Sequence, residues 1–297
     1  MINIAIVGFG LSGRYLQAPF FWLNPNFHLK TIVTNNQNPK EIYPSVLKAS
    51  SLAEVLADSE IELVSIASPN ATHVDYARQC LLAGKHVLVE KPFAPTLAEA
   101  QMLIDLAKNQ GKNLFIFQNR RFDSDFMTVQ KVIESGFLGE IHTYEVHWNR
   151  YKPLPNPKKW KEIVAPASGI IYDLGSHLID QTIALFGRPL SILGETYTQR
   201  EHSLIDDAFN IRLNYGKLKA TITSSLMTRG DLPRYVVHGS KGSFVKHGID
   251  VQEDNAKAGI TPDMPTFGIE PPQYQGVLDA EINALHFKGT IETEKGD

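Results

Sequence analysis

Directly after an apolar run from Ile2 to Val7 the chain reads Gly8-Phe9-Gly10-Leu11-Ser12-Gly13, and a helical pattern from Tyr15 to Trp22 follows at once. Few folds accommodate that order. In a β-α-β unit the first glycine permits a tight turn, the second lets the backbone approach a pyrophosphate, and the third lets helix and sheet pack closely. The helix N-terminus then faces the negative charge. A chance glycine-rich turn is the competing reading, and the flanking strand and helix weigh against it.

The rest of the first third repeats the pattern. Strands are predicted at Leu29 to Val33, weakly near Val46, at Leu63 to Ala67, at His86 to Val89 and at Leu114 to Phe117. Helices are predicted from Ser51, from Thr72 to Ala83 before the cap glycine Gly84, and from Thr96 to Gly111, where Thr96 and Glu99 make a capping box. Parallel strands joined by helical crossovers form a doubly wound sheet, so residues 1–118 are expected to be a dinucleotide-binding domain.

After Gln118 the pattern changes. A helix carrying Phe126, Val129 and Ile133 ends at Gly136, a strand alternates from Ile141 to Trp148, and a Pro- and Lys-rich loop runs from Pro153 to Trp160. A long helix is predicted from Ile170 to Phe186, followed by strand after strand, including a hairpin around Tyr215-Gly216. Residues 119–297 therefore read as an α+β domain with a largely antiparallel, open sheet, the overall class being α/β. Helices cover one face of such a sheet, so the other is expected to be solvated or to pair with a second copy as a homodimer or homotetramer. Glu292 to Asp297 reads as a hairpin cut mid-course, with the natural chain continuing beyond it.

With 297 residues and 43% hydrophobic content there is material for two cores. A net charge of −3 lacks the basic excess that a phosphate-tracking surface needs, so no nucleic-acid partner is expected. The single cysteine, Cys80, reads as a helix core residue; it fits a reducing cytoplasm and excludes an internal disulfide. The apolar N-terminal run is too short to span a bilayer, and no membrane partner is expected.

Three places carry candidate chemistry. At the end of strand two, about twenty residues past the glycines, where a ribose-binding acid is usual, the chain has Thr34-Asn35-Asn36-Gln37. With no carboxylate to repel a 2′-phosphate, NADP is preferred over NAD, although only Lys40 is near to hold that phosphate. At the carboxyl edge of the sheet lie Ser68-Pro69-Asn70 and Glu90-Lys91-Pro92; Lys91 is placed to hold a substrate oxygen, a surface salt bridge to Glu90 being the alternative. On the long helix Asp173 and His177 are four apart and share a face, with Asp180 a turn further. A histidine there can take a hydroxyl proton while a carboxylate orients it. The same face read otherwise is a polar helix side or, lacking a spaced third ligand, a weak metal candidate, so no metal is assigned. His28, His142, His147, His202 and His238 are scattered and read as strand or surface residues.

Together these motifs, with His73 and Asn119-Arg120-Arg121-Phe122, stand in an order that resembles the Gfo/Idh/MocA family of NAD(P)-dependent oxidoreductases. The resemblance implies a Rossmann domain first, a cis Lys91-Pro92 peptide and a catalytic triad of Lys91, Asp173 and His177, with His177 the acid/base. It implies cofactor contacts from Gly8, Phe9, Gly10, Leu11, Ser12, Gly13, Asn35, Asn36, Ser68, Pro69, Asn70, His73, Glu90, Lys91 and Asn119. Substrate contacts fall to Arg121, Tyr151, Trp160, Asp173 and His177, although packing accounts equally for the two aromatics. Asn149-Arg150-Tyr151-Lys152-Pro153 and Pro233-Arg234-Tyr235 are similar to the NADP-dependent scyllo-inositol dehydrogenase-like members. The implied substrate is a cyclitol, polyol or sugar, possessing a secondary alcohol that is oxidised to a ketone. An NAD(P)-binding sensor without turnover is the alternative, and a hydrolase using a retained coenzyme is a third.

Overall fold

The computed structural model describes residues 1–156 and 162–296. The chain forms two compact units: Met1–Gln118 with Glu253–Pro265, and Asn119–Gln252 with Thr266–Asp297. The stretch Glu253–Pro265, read from sequence as part of the second domain, thus belongs to the first unit. Local pattern cannot register such a return of the chain.

In the first unit β1 (Ile2–Val7), β2 (Phe27–Val33), β3 (Leu47–Ala49), β4 (Leu63–Ile66), β5 (His86–Glu90) and β6 (Leu114–Phe117) form one sheet in the order β3-β2-β1-β4-β5-β6, with every pair parallel. The order reverses at β1, and ligands of such sheets bind beyond the strand carboxyl ends at that reversal. The strand residues alternate between two cores. Ala5, Val7, Val64, Ile66, Val87 and Val89 pack with α2 (Leu52–Ala57), α3 (His73–Leu82) and α4 (Leu97–Asn109), whereas Ile6, Leu29 and Ile32 pack with Phe9, Ala18 and Tyr43. The helix expected from Tyr15 starts earlier: Ser12–Gln17 is π-wound and runs into α1 (Ala18–Leu23). Thr96 caps α4 as expected, accepting from the Glu99 amide, and its hydroxyl donates to the Glu99 carboxylate.

In the second unit α5 (Ser124–Glu134) and α6 (Ser176–Phe186) accompany an eight-stranded sheet. Its strands are β7 (Ile141–His147), β8 (Ser191–Tyr197), β9 (Ala208–Tyr215), β10 (Leu218–Ser225), β11 (Tyr235–Gly239), β12 (Gly242–Lys246), β13 (Gly276–Ile282) and β14 (Leu285–Ile291). They lie in the order β14-β13-β12-β11-β7-β10-β9-β8 and pair antiparallel except for β7 with β10. Tyr144, Val146, Phe209, Ile211, Leu213, Ala220 and Ile222 point into one core with Leu174 and Leu178. The terminal hairpin is β13–β14, which ends at Ile291. The strand expected over Glu292 to Asp297 is absent from 292–296, where polar residues without alternation leave β14 nothing to continue. Instead the Glu294 amide donates to Thr128 Oγ1 at 2.8 Å, and the Glu294 carboxylate meets Lys131. Among the described residues no helix is long and apolar enough to cross a membrane.

Cys80 lies fully buried on α3, and burial pushes its thiol up to about 12. The folded protein is therefore expected to leave Ellman's reagent unreacted at pH 8, with one thiol titrating after denaturation; rapid reaction of native protein would contradict the packing.

Candidate functional site

The first unit gathers most of the expected cofactor residues at the carboxyl edge of its sheet. Gly8 has φ +102°, and a Cβ there would lie 2.6 Å from the Ala67 carbonyl oxygen, so the glycine turn and the start of the Ser68 loop touch as backbone. A Cβ on Gly13 would collide with the Gly8 carbonyl oxygen, whereas one on Gly10 would meet nothing within 4 Å. The outer two glycines are thus needed for packing and the middle one opens a space beside the turn, as a pyrophosphate cradle requires. The residues present fit a dinucleotide.

Beneath that turn lies a polar network. Ser12 Oγ donates to Glu90 Oε1, Gln17 Nε2 donates to the same oxygen at 3.1 Å, and the Lys91 amide donates to Glu90 Oε2 at 3.1 Å. Ser65 Oγ closes the set by donating to Gln17 Oε1 at 2.5 Å. Burial pushes the Glu90 carboxyl above its usual range, while the Ser12 hydroxyl and the Lys91 charge oppose that shift. Glu90 therefore ties the glycine turn to the backbone of Lys91. The Lys91–Pro92 peptide is cis. His73, buried on α3, has Nδ1 at 2.9 Å from the Pro92 carbonyl and Nε2 at 2.9 Å from the Ser68 carbonyl. Its imidazole is a brace between two strand-end loops. The Phe9 side chain likewise turns into the core beside Tyr43, and its carbonyl accepts from Gln37 Nε2 at 2.8 Å. Asn35 and Asn36 lie exposed in the bend after β2, Leu11 is exposed, and Pro69 and Asn70 open the 3-10 turn before α3.

In the second unit the expected α-helical start at Ile170 is a π-turn, Ile171–Gly175, leading into α6. Such wide turns recur at functional sites. Asp206 holds the helix entrance: its Oδ2 accepts from the Ile171 amide at 3.0 Å, and its carboxylate occupies the space that a side chain at Gly169 would need. Asp173 lies exposed on the π-turn, while His177, one helical turn further, is only 5% exposed.

His177 packs on Trp148, with ring centroids 6.0 Å apart and planes tilted by 35°. Three guanidinium groups surround that indole, Arg234 at 4.5 Å, Arg120 at 5.2 Å and Arg150 at 5.3 Å from the ring centre. Arg234 Nε donates to Asp125 at 3.0 Å, and Arg120 meets Asp123, whose carboxyl burial pushes well up against the pull of Arg120. Gln181, a turn beyond His177, donates to the Arg120 carbonyl at 2.6 Å and accepts from the Tyr235 hydroxyl at 3.0 Å. The imidazole thus sits on a helix held at its entrance by Asp206 and at its middle by Gln181.

Sequence reasoning passed over Gln181, read Trp148 only as the end of a strand, and named Arg234 only within the Pro233-Arg234-Tyr235 resemblance, without a place beside His177. It also passed over Arg14 and named Gln37 only within the bend after strand two; the two meet by tertiary folding. Arg121 forms a bidentate pair with Asp180, at 2.7 Å on both oxygens, and Asn119 belongs to the same 3-10 turn. Tyr151 bridges Met227 and lies under Arg229, 4.1 Å from the ring centre. Trp160 lies outside the described residues. Among the described residues no group of three or more His, Cys, Asp or Glu side chains is placed to hold a metal ion.

Comparison with known proteins places this geometry in context. Residues 2–118 match the model of the oxidoreductase family with NAD-binding Rossmann fold named for Gfo, Idh and MocA, and residues 126–245 match the C-terminal domain model of the same family. The chain is 38% identical over 278 residues to the NADP(+) scyllo-inositol 2-dehydrogenase IolW of Bacillus subtilis, covering 93% of this chain and 77% of that protein. It is 42% identical over 303 residues to the oxidoreductase YhhX of Escherichia coli, covering 100% of this chain and 86% of the relative. A solved oxidoreductase structure from Bacillus subtilis, YvaA, superposes with a TM-score of 0.96 at 36% identity, covering 100% of this chain and 85% of that one.

The backbone contact at the glycine turn generates a direct test. Gly13→Ala is expected to cost about 1–3 kcal/mol through overpacking, while Gly10→Ala should leave the melting temperature nearly unchanged and weaken coenzyme binding. Equal melting temperatures for the two variants would contradict the placement.

Proposed function

The chain belongs to the Gfo/Idh/MocA family of oxidoreductases, and we propose that it transfers hydride between NADP and a secondary alcohol or ketone of a cyclitol, with scyllo-inositol and its inosose the first candidates. The observation that carries this reading is His177, held against Trp148 on the helix that begins with Asp173. IolW, an NADP(+) scyllo-inositol 2-dehydrogenase to which the chain is 38% identical, supports the choice of substrate.

In this proposal the first unit binds the coenzyme and the second supplies the substrate residues. The bound nicotinamide supplies the hydride acceptor. His177 takes the hydroxyl proton as the carbon–oxygen double bond forms, Lys91 holds the oxygen on which charge changes, and Asp173 favours the protonated imidazole. In the reverse direction His177 returns the proton to the oxygen. Glu90 positions the Lys91 backbone, and Arg121 and Tyr151 are assigned to substrate contact, Arg121 in company with Asp180. A cyclitol presents several equivalent hydroxyl groups, so orientation by such polar contacts is what selects one carbon.

Steady-state assays with scyllo-inositol, other inositols and aldoses test the reading. Lys91→Ala and His177→Ala should each lower kcat by about 10²–10⁴-fold, the latter with coenzyme binding retained. Wild-type turnover in either variant would remove the acid/base assignment; tight coenzyme binding with no turnover across the panel would favour a sensor.

We also infer a homodimer or homotetramer through the outer face of the second unit's sheet, in a reducing cytoplasm that suits the one thiol. That face carries a shallow groove lined by Leu193, Glu195, Asn210, Arg212 and Thr221, and Leu193 is 75% exposed. An exposed edge strand with apolar residues is a ready surface for a second copy. Light scattering should give a multiple of the monomer mass, and Leu193→Glu should shift it downward; a monomeric wild type would sink the inference.

A further inference from the structure

The bend after β2 is where a dinucleotide-binding sheet reads the adenosine ribose. A carboxylate there accepts from the 2′-hydroxyl and repels a 2′-phosphate, whereas a nearby arginine accommodates the phosphate. Here the bend reads Thr34-Asn35-Asn36-Gln37, without a carboxylate or an arginine of its own. The fold brings an arginine from elsewhere. Arg14, the residue after the third glycine, donates from Nη1 to Gln37 Oε1 at 3.1 Å. Gln37 in turn donates from Nε2 to the Phe9 carbonyl at 2.8 Å, so one side chain straps the bend to the glycine turn and holds the guanidinium.

The charge on Arg14 is left available by its surroundings. Its hydrogen-bond partner is a neutral amide, and no carboxylate forms an ion pair with it among the described residues. Its guanidinium carbon lies 5.1 Å from the centre of the Tyr15 ring, which supports the group without neutralising it. Nε is buried and has no acceptor among the described residues. A half-buried guanidinium with unused donors, beside the ribose-reading bend, is matched in charge and geometry by a phosphate monoester.

We propose that Arg14, held by Gln37, is the residue that selects NADP by binding its adenosine 2′-phosphate. The assignment rests on the proposed dehydrogenase reading and deepens it. It moves the coenzyme-selecting charge from the β2 bend to the turn that follows the glycines. Lys40, exposed two residues past Asn38 in the same connection, is the competing cation.

The test is equilibrium binding of NADPH and NADH by fluorescence titration, with adenosine 2′,5′-bisphosphate and 5′-AMP compared by calorimetry, on wild type and on Arg14→Gln, Gln37→Ala and Lys40→Ala. Wild type should prefer NADPH and the bisphosphate. Arg14→Gln should reduce the NADPH-to-NADH affinity ratio by about 10- to 100-fold, a loss expected for a charge-assisted hydrogen-bonded contact, and Gln37→Ala should reduce it less. Gln37→Ala keeps the assignment testable should Arg14→Gln fail to fold. An unchanged ratio in both variants, a wild-type preference for NADH, or a collapse of the ratio in Lys40→Ala alone would each overturn the assignment while leaving coenzyme binding intact. Binding of neither coenzyme by wild type would overturn the dehydrogenase reading along with it.

Discussion

The backbone contact between Gly13 and the Gly8 carbonyl is the constraint on which the first unit's site depends. With no side chain at either position, the helix start presses directly against the strand-to-helix turn, and the turn in turn touches the Ala67 backbone. That proximity lets Ser12 reach the Glu90 carboxylate and Gln17 reach both Glu90 and Ser65. A larger residue at Gly13 would push the helix outward and separate all of these groups together. Glycine there acts through what it allows its neighbours to touch.

The second unit organises its site by charge. Asp123, Asp125 and Asp250 lie near one another at the start of α5, and burial raises Asp123 and Asp250 against the stabilising pull of neighbouring partners. Arg234 and Arg120 answer part of that charge and at the same time surround Trp148, the surface on which His177 rests. Lys246 and Glu270 form a third pair, buried on both sides, with Ser124 donating to the same carboxylate. Buried pairs are a poor source of net stability, but removing one member leaves an uncompensated charge, so such a network holds its members in one arrangement. A proton-transferring imidazole gains from that rigidity.

Much of the architecture was legible from local pattern. The parallel strands of the first unit follow from short apolar runs separated by helical periods, and the hairpin around Tyr215-Gly216 follows from alternation. The C-terminal part of the chain was read less well. Glu253–Pro265 packs with the first unit although it lies late in the sequence, and 292–296 carries no strand. In both places the deciding contacts are remote in sequence. The π-turns at Ser12–Gln17 and Ile171–Gly175 were invisible because their residues look helical and local pattern does not separate π from α winding.

The candidate site divides along the same line. Glycine spacing after a strand, the Glu90-Lys91-Pro92 edge and the Asp173/His177 interval are local features, so residue order alone determined them and the fold class they imply. Which of those side chains face a ligand was decided by tertiary structure. Phe9 and His73 carry motif positions, yet their rings are committed to a core and to two loop carbonyls. Arg14 looked unremarked in sequence and meets Gln37 only because β2 lies beside β1 and the glycine turn folds over that edge. Trp148 reached His177 because strand and helix pack across one core. Periodicity and spacing specify elements and their intended faces; side chains far apart in the chain become neighbours only through packing, which no single segment encodes.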